Sequence, residues 1–243
     1  RLNQRLTFVH RKTIGVVSHG ARRCHVARPQ IRLARCKHER LQCEYLDIYY
    51  AHEDDRATSL EATLGTFDAL IKEGKIRAIG ASNFDGSRLA ESLAVAARDG
   101  LAGYVAVQPH YNLLERARYE GPLSSVVAAH GLACFPYYGL AGGFLTGKYR
   151  PGRDVASARA PHMTRYLTER NMALLAVLET VAADHDAPVA SVALAWLRDS
   201  PTVVAPIASA RVVDHVPALI RGALLQLRPE ERARIDAASI PPG

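Results

Sequence analysis

The sequence predicts an α/β chain with parallel strands and, among such architectures, a (β/α)8 barrel. Three observations carry this. Short β-branched and aromatic runs alternate with helical periodicity from Leu46 onward, a pattern that demands parallel pairing through right-handed crossovers. No GxGxxG or GxxxxGK[ST] turn follows any strand, as a doubly wound nucleotide-binding sheet would require. Polar residues close successive strands: His52, Ser82 with Asn83, Gln108, Tyr137 with Tyr138, and Ser209 with Arg211. A barrel carries its function on that rim.

Leu46 to Ala51 is a β-branched and aromatic run of strand length. Thr58-Ser59-Leu60-Glu61 then reads as a capping box opening a helix, whose apolar face is Leu60, Leu64, Phe67, Leu70 and Ile71 and whose stop is Gly74. A strand over Ile76 to Ala81 follows. Next come a helix over 87–99 stopped by Gly100, a strand over 104–108, a helix over 119–130 stopped by Gly131, and a strand over Leu132 to Tyr137. Residues 141–165, rich in Gly, Arg and Pro, read as a loop. Helices near 166–185 and 189–199, a last strand over Val203 to Ala208, and helices near 213–223 and 229–238 complete the pattern.

The charge divides the chain sharply. Of 31 Lys and Arg residues, 11 fall in residues 1–40 beside a single acid, Glu39, so that segment carries +10 and the other 203 residues −3. Four scattered cysteines (Cys24, Cys36, Cys43 and Cys134), with no CxxC pair, do not make a disulfide framework. The reading is a cytoplasmic protein. Arg1 to Thr7 precede no apolar stretch of signal-peptide kind, and no run approaches about 18 apolar residues, so no membrane span is expected. No His, Cys or carboxylate group has ligand spacing, so no metal is expected.

The strand ends, taken together, resemble the aldo-keto reductase family, most closely the branch that includes the potassium-channel β subunits. The resemblance rests on His52, on Gly80-Ala81-Ser82-Asn83-Phe84, on Gln108 with Tyr111-Asn112-Leu113-Leu114-Glu115-Arg116, and on Leu140-Ala141-Gly142-Gly143-Phe144-Leu145-Thr146-Gly147-Lys148-Tyr149, in the family's order over about residues 41–239. It implies an aldo-keto-reductase-type (β/α)8 barrel that binds NADP(H) and exchanges hydride with a small-molecule carbonyl, an aldehyde or ketone. His52 would orient the substrate carbonyl. Ser82, Asn83 and Gln108 would hydrogen-bond the nicotinamide carboxamide, and Tyr137 would stack on the ring. Leu140 and Gly142 would bring backbone to the pyrophosphate; Ser209, Arg211 and His215 would hold the adenosine phosphates, with Arg211 facing the 2′-phosphate. Taken singly, each has an ordinary reading: a structural histidine, a helix cap at Ser82-Asn83, a solvated base at Arg211. Their order is what points to a site.

The family's catalytic set joins an Asp, a Tyr and a Lys to the His, the Tyr donating the proton. By resemblance those three belong to the first strands of the barrel, and residues 1–40 contain no Tyr, no Asp and only Lys12 and Lys37. The expectation is a partial barrel over 41–243 lacking the first two to three strands, with impaired turnover. The alternative is a catalytically silent NADP(H)-binding or partner-docking barrel. Residues 1–40 admit a nucleic-acid arm, a solvated tail, or a displaced reading frame ending at Leu41-Gln42. The single aromatic, Phe8, argues against nucleic acid, and the abrupt return of family-like sequence favours the third.

Overall fold

Leu46–Ala51 forms β1 and Ile76–Ser82 forms β2, paired in parallel with Leu46 opposite Ile76, Tyr50 opposite Gly80 and Ala51 opposite Ala81. The structure, a computed structural model, describes residues 44–152, 155 and 160–240; the basic segment 1–40 lies outside them. The described chain is α/β with parallel strands, and it divides into two units, residues 1–107 and 108–243.

In the first unit the strand order is β1, β2, β3, with β3 spanning Tyr104–Gln108 so that its last residue opens the second unit. Helix α1 (Leu60–Lys72) crosses from β1 to β2 and α2 (Gly86–Asp99) from β2 to β3. The α1 stripe buries Leu64, Phe67 and Leu70 at the expected spacing, and the Phe67 ring meets Tyr49 edge-on at 5.8 Å. The cap of α1 is Ser59, whose hydroxyl accepts from the Ala62 amide at 3.2 Å. Thr58 instead turns its hydroxyl to Asp55 at 2.9 Å, so the expected box from Thr58 to Glu61 does not form. Gly74 and Gly100 take the left-handed conformation that ends each helix.

The second unit corrects several boundaries. The helix expected over 119–130 is a 3₁₀ turn at Arg116–Arg118 followed by α3 (Pro122–Ala129), because Gly121 at φ 105° and Pro122 interrupt the amide ladder. The strand over 132–137 shrinks to β4 (Ala133–Cys134), with Pro136 removing a donor and Tyr137 returning only as an isolated parallel bridge to His110. Val203 to Ala208 is no regular strand. It keeps a parallel bridge from Val203 to Cys134 and amide bonds from Val204 to Cys134 O (2.9 Å) and Ile207 to Pro136 O (2.8 Å), and Pro206 contributes none. Among the described residues four strands therefore stand where five were expected.

Residues 141–165 are not all loop: a 3₁₀ segment covers Ala141–Thr146 and a short α4 covers Ala160–Met163, with a further 3₁₀ turn at Thr164–Tyr166. Helices α5 (Glu169–Asp184), α6 (Val189–Arg198), α7 (Val216–Leu224) and α8 (Pro229–Ser239) follow. Trp196 of α6 anchors this unit. It is fully buried, donates its indole N–H to Asp236 at 2.9 Å, and lies under the guanidinium groups of Arg116 and Arg232. Among the described residues no helix is long and apolar enough to cross a membrane.

Candidate functional site

The parallel register of β1 and β2 puts the residue after β1 beside the residues that end β2, since both strands finish at the same edge. His52 and Asn83 meet there: the Asn83 side-chain amide donates to the His52 carbonyl at 2.8 Å. Asn83 does so from φ 59°, a left-handed backbone that asparagine tolerates better than most residues. Ser82, the last residue of β2, is buried. Gly80 is needed two positions earlier, because a Cβ there would lie 2.4 Å from the Tyr50 ring.

Sequence reading missed the groups that hold the His52 loop. Arg88 on α2 grips Asp54 through both carboxylate oxygens at 3.0 and 3.1 Å, with the two side chains only 15% and 10% exposed. Arg56 bridges Asp54 (3.3 Å) to Asp85 (2.6 Å), and Asp85 caps α2 by accepting from the Arg88 amide at 2.7 Å. The Ser87 hydroxyl first, then the Arg88 amide and Arg56, hold the Asp85 carboxyl below its usual range. No local signal marks Asp54 and Arg88 as partners, because they stand 34 residues apart.

In the second unit Gln108 is buried at the end of β3. Two residues on, His110 pairs with Tyr137 across the parallel bridge, their rings stacked with centroids 5.3 Å apart and planes 28° apart. The Tyr138 ring meets His110 edge-on at 5.1 Å. Asn112, fully buried, donates to the Tyr138 carbonyl at 3.0 Å and accepts from the Leu114 amide at 2.9 Å. Leu140, Ala141, Gly142 and Gly143 form a tight turn in which Tyr138 (φ 63°), Ala141 (47°), Gly142 (68°) and Gly143 (103°) are all left-handed. Gly142 and Gly143 adopt it freely, whereas Tyr138 and Ala141 are strained there, and strain of this kind clusters at functional sites. Leu140 O accepts from the Gly143 amide at 2.8 Å, and a Cβ at Gly142 would press on Met163 at 3.0 Å.

Ser209, Arg211 and His215 share an exposed turn ahead of α7, where the Arg211 amide donates to His215 Nδ1 at 3.3 Å. The apolar groove beside them, walled by Val213, Val216, Ile220 and Leu224, includes none of the three. Cys134 is fully buried and its thiol is pushed up to about 12 by burial, which makes it a core residue rather than a nucleophile. Among the described residues no group of three His, Cys, Asp or Glu could hold a metal ion.

The family model "Aldo/keto reductase family" matches residues 8–240. A "Probable voltage-gated potassium channel subunit beta" of Oryza sativa is 29% identical over 209 residues, covering 82% of this chain and 63% of that protein. "Protein tas" of Escherichia coli K12 is 32% identical over 219 residues, with the same coverage of 82% and 63%. "L-glyceraldehyde 3-phosphate reductase" of the same strain is 31% identical over 166 residues, 65% of this chain and 48% of that protein. The chain thus spans about three fifths of the length of the first two relatives.

Proposed function

The chain belongs to the aldo/keto reductase family, an oxidoreductase family of (β/α)8 barrels, and from that premise we propose that it is an NADP(H)-dependent oxidoreductase acting on an aldehyde or ketone. When bound, the nicotinamide supplies the hydride for the carbonyl carbon. His52 orients the carbonyl oxygen of the substrate. Ser82, Asn83 and Gln108 fix the carboxamide and so the ring face presented, and Tyr137 is the surface on which the ring lies. Leu140 and Gly142 admit the pyrophosphate, and Ser209, Arg211 and His215 take the adenosine phosphates, Arg211 as the cation toward the 2′-phosphate.

The residues present fit such a group. The left-handed turn 138–143, with glycine where a Cβ would already touch Met163, lets backbone approach a pyrophosphate closely. The aromatic pair His110 and Tyr137 offers a flat apolar surface. The single observation that carries the reading is the hydrogen bond from Asn83 to His52, because it joins a carboxamide-binding position to the carbonyl-orienting one.

The proposal places the partial barrel at residues 41–243, in the cytoplasm, with 1–40 as a basic segment before it, although the family match itself begins at residue 8. Of the family's catalytic set residues 41–243 supply His52, and a barrel without the general acid would turn over about 10² to 10⁴ more slowly than one that has it. A second reading, an NADP(H)-binding barrel that docks on a partner, draws on the likeness to a protein named as a channel subunit. Titrating NADPH by its fluorescence and following aldehyde-dependent oxidation in the same sample separates the two: saturable binding with slow turnover supports the first, saturable binding with none the second.

A further inference from the structure

His110 is not among the predicted site residues, yet its surroundings are closely specified. Its ring stacks on Tyr137, its backbone bridges Tyr137, and the flanking amide bonds, Tyr137 N to Pro109 O (3.0 Å) and Tyr111 N to Tyr137 O (3.4 Å), tie the two segments together. Tyr138 closes a second side edge-on.

The protonation state follows from Asn112. Its Oδ1 accepts from the Leu114 amide and its Nδ2 donates to Tyr138 O, so the orientation of this buried amide is set by two backbone groups. The atom 3.3 Å from His110 Nε2 is therefore the donor nitrogen, Nε2 is the acceptor, and the imidazole is neutral with its proton on Nδ1. The charged groups facing it agree: burial first, then Arg118 and Arg165, push the imidazole below its usual value, against Glu115 alone.

We infer that His110 is a positioning residue that holds Tyr137 as the platform for a nicotinamide ring, by stacking on Tyr137 in a neutral form selected by Asn112. The inference rests on the oxidoreductase reading. Protonating His110 sets an N–H against the Asn112 N–H and adds a third cation beside Arg118 and Arg165, so the platform loosens in acid.

The test uses the full chain and NADPH itself, titrated by nicotinamide fluorescence from pH 7.5 to 5. His110→Ala is expected to weaken binding about three- to tenfold, the size of a lost ring contact, and His110→Phe, which keeps the flat ring, to stay within about twofold of the original protein. Toward the acid end of this range, because the imidazole protonates below its usual value, the original protein should lose affinity that His110→Phe retains, and the ¹⁵N shifts of His110 at pH 7 should report an Nδ1-protonated neutral ring. If His110→Ala binds normally while Tyr137→Ala does not, the positioning role is overturned and the oxidoreductase reading stands. If His110→Phe is as weak as His110→Ala, or the ring is charged at pH 7, the role is equally overturned. If the original protein shows no saturable binding, both fall together.

Discussion

The Asn83 side chain donates a hydrogen bond of 2.8 Å to the His52 carbonyl from a left-handed backbone, so one residue ends β2 and fixes the loop that follows β1. Two substitutions separate these contributions. Asn83→Gly keeps access to the left-handed region and loses the hydrogen bond, at about 1 kcal/mol. Asn83→Ala adds backbone strain of about 1 kcal/mol more. Urea denaturation of both variants checks the order; equal losses would show that the conformation contributes nothing.

The pair of Asp54 and Arg88 holds the same loop from its other side. With both side chains largely buried, Arg88→Leu leaves the Asp54 carboxylate only the longer contact to the exposed Arg56 and should cost about 2 kcal/mol. The double variant Asp54→Leu with Arg88→Leu should recover part of that loss. A double-mutant cycle measured by denaturation reads the coupling directly, and a purely additive result would contradict it.

Gly80→Ala forces a Cβ into the Tyr50 ring. Overpacking of this kind costs about 1–3 kcal/mol, and adding Tyr50→Leu, which removes the ring, should relieve most of it. Thermal denaturation of the single and double variants checks this.

Glu231 connects acid stability to the junction of α5 and α8. Burial opposes its ionisation, but hydrogen bonds from His185 (2.8 Å) and the Arg228 amide (2.8 Å), with the Arg228 guanidinium nearby, outweigh it and hold the carboxyl below its usual value. A depressed folded-state value gives stability that is present above the unfolded value, near 4.5, and is lost as pH falls through the folded one. Glu231→Gln should therefore lose stability at pH 7 and show a shallower decline than the original protein between pH 5 and 3, measured as denaturation free energy at each pH.

The strands and helices of the first unit were legible because each carries its own signals: the run Leu46 to Ala51, the stripe Leu64, Phe67 and Leu70, the stops at Gly74 and Gly100. The parallel alternation also placed His52 and Asn83 on one strand edge, where the structure joins them. What failed did so for local reasons. Pro122, Pro136 and Pro206 each remove an amide from a segment whose hydrophobic pattern is otherwise regular, so apolar periodicity overstated α3, β4 and the stretch 203–208. Asp54 with Arg88, and Asn112 with Tyr138, were illegible for another reason. Their partners are set by topology across 34 and 26 residues, and no spacing within either segment announces them. His110 was hidden by its neighbours, since Gln108 and Tyr111-Asn112 drew the eye and a lone histidine carries little signal.

The central proposal is that residues 41–243 carry the NADP(H)-binding side of an aldo/keto reductase site. One measurement tests it most directly: NADPH titration of the full chain by fluorescence, with aldehyde-dependent NADPH oxidation followed in the same cuvette. The account predicts saturable NADPH binding by residues 1–243, with aldehyde-dependent oxidation about 10² to 10⁴ slower than that of a family member that has its general acid. No saturable binding, or a rate within tenfold of that member's, would contradict it.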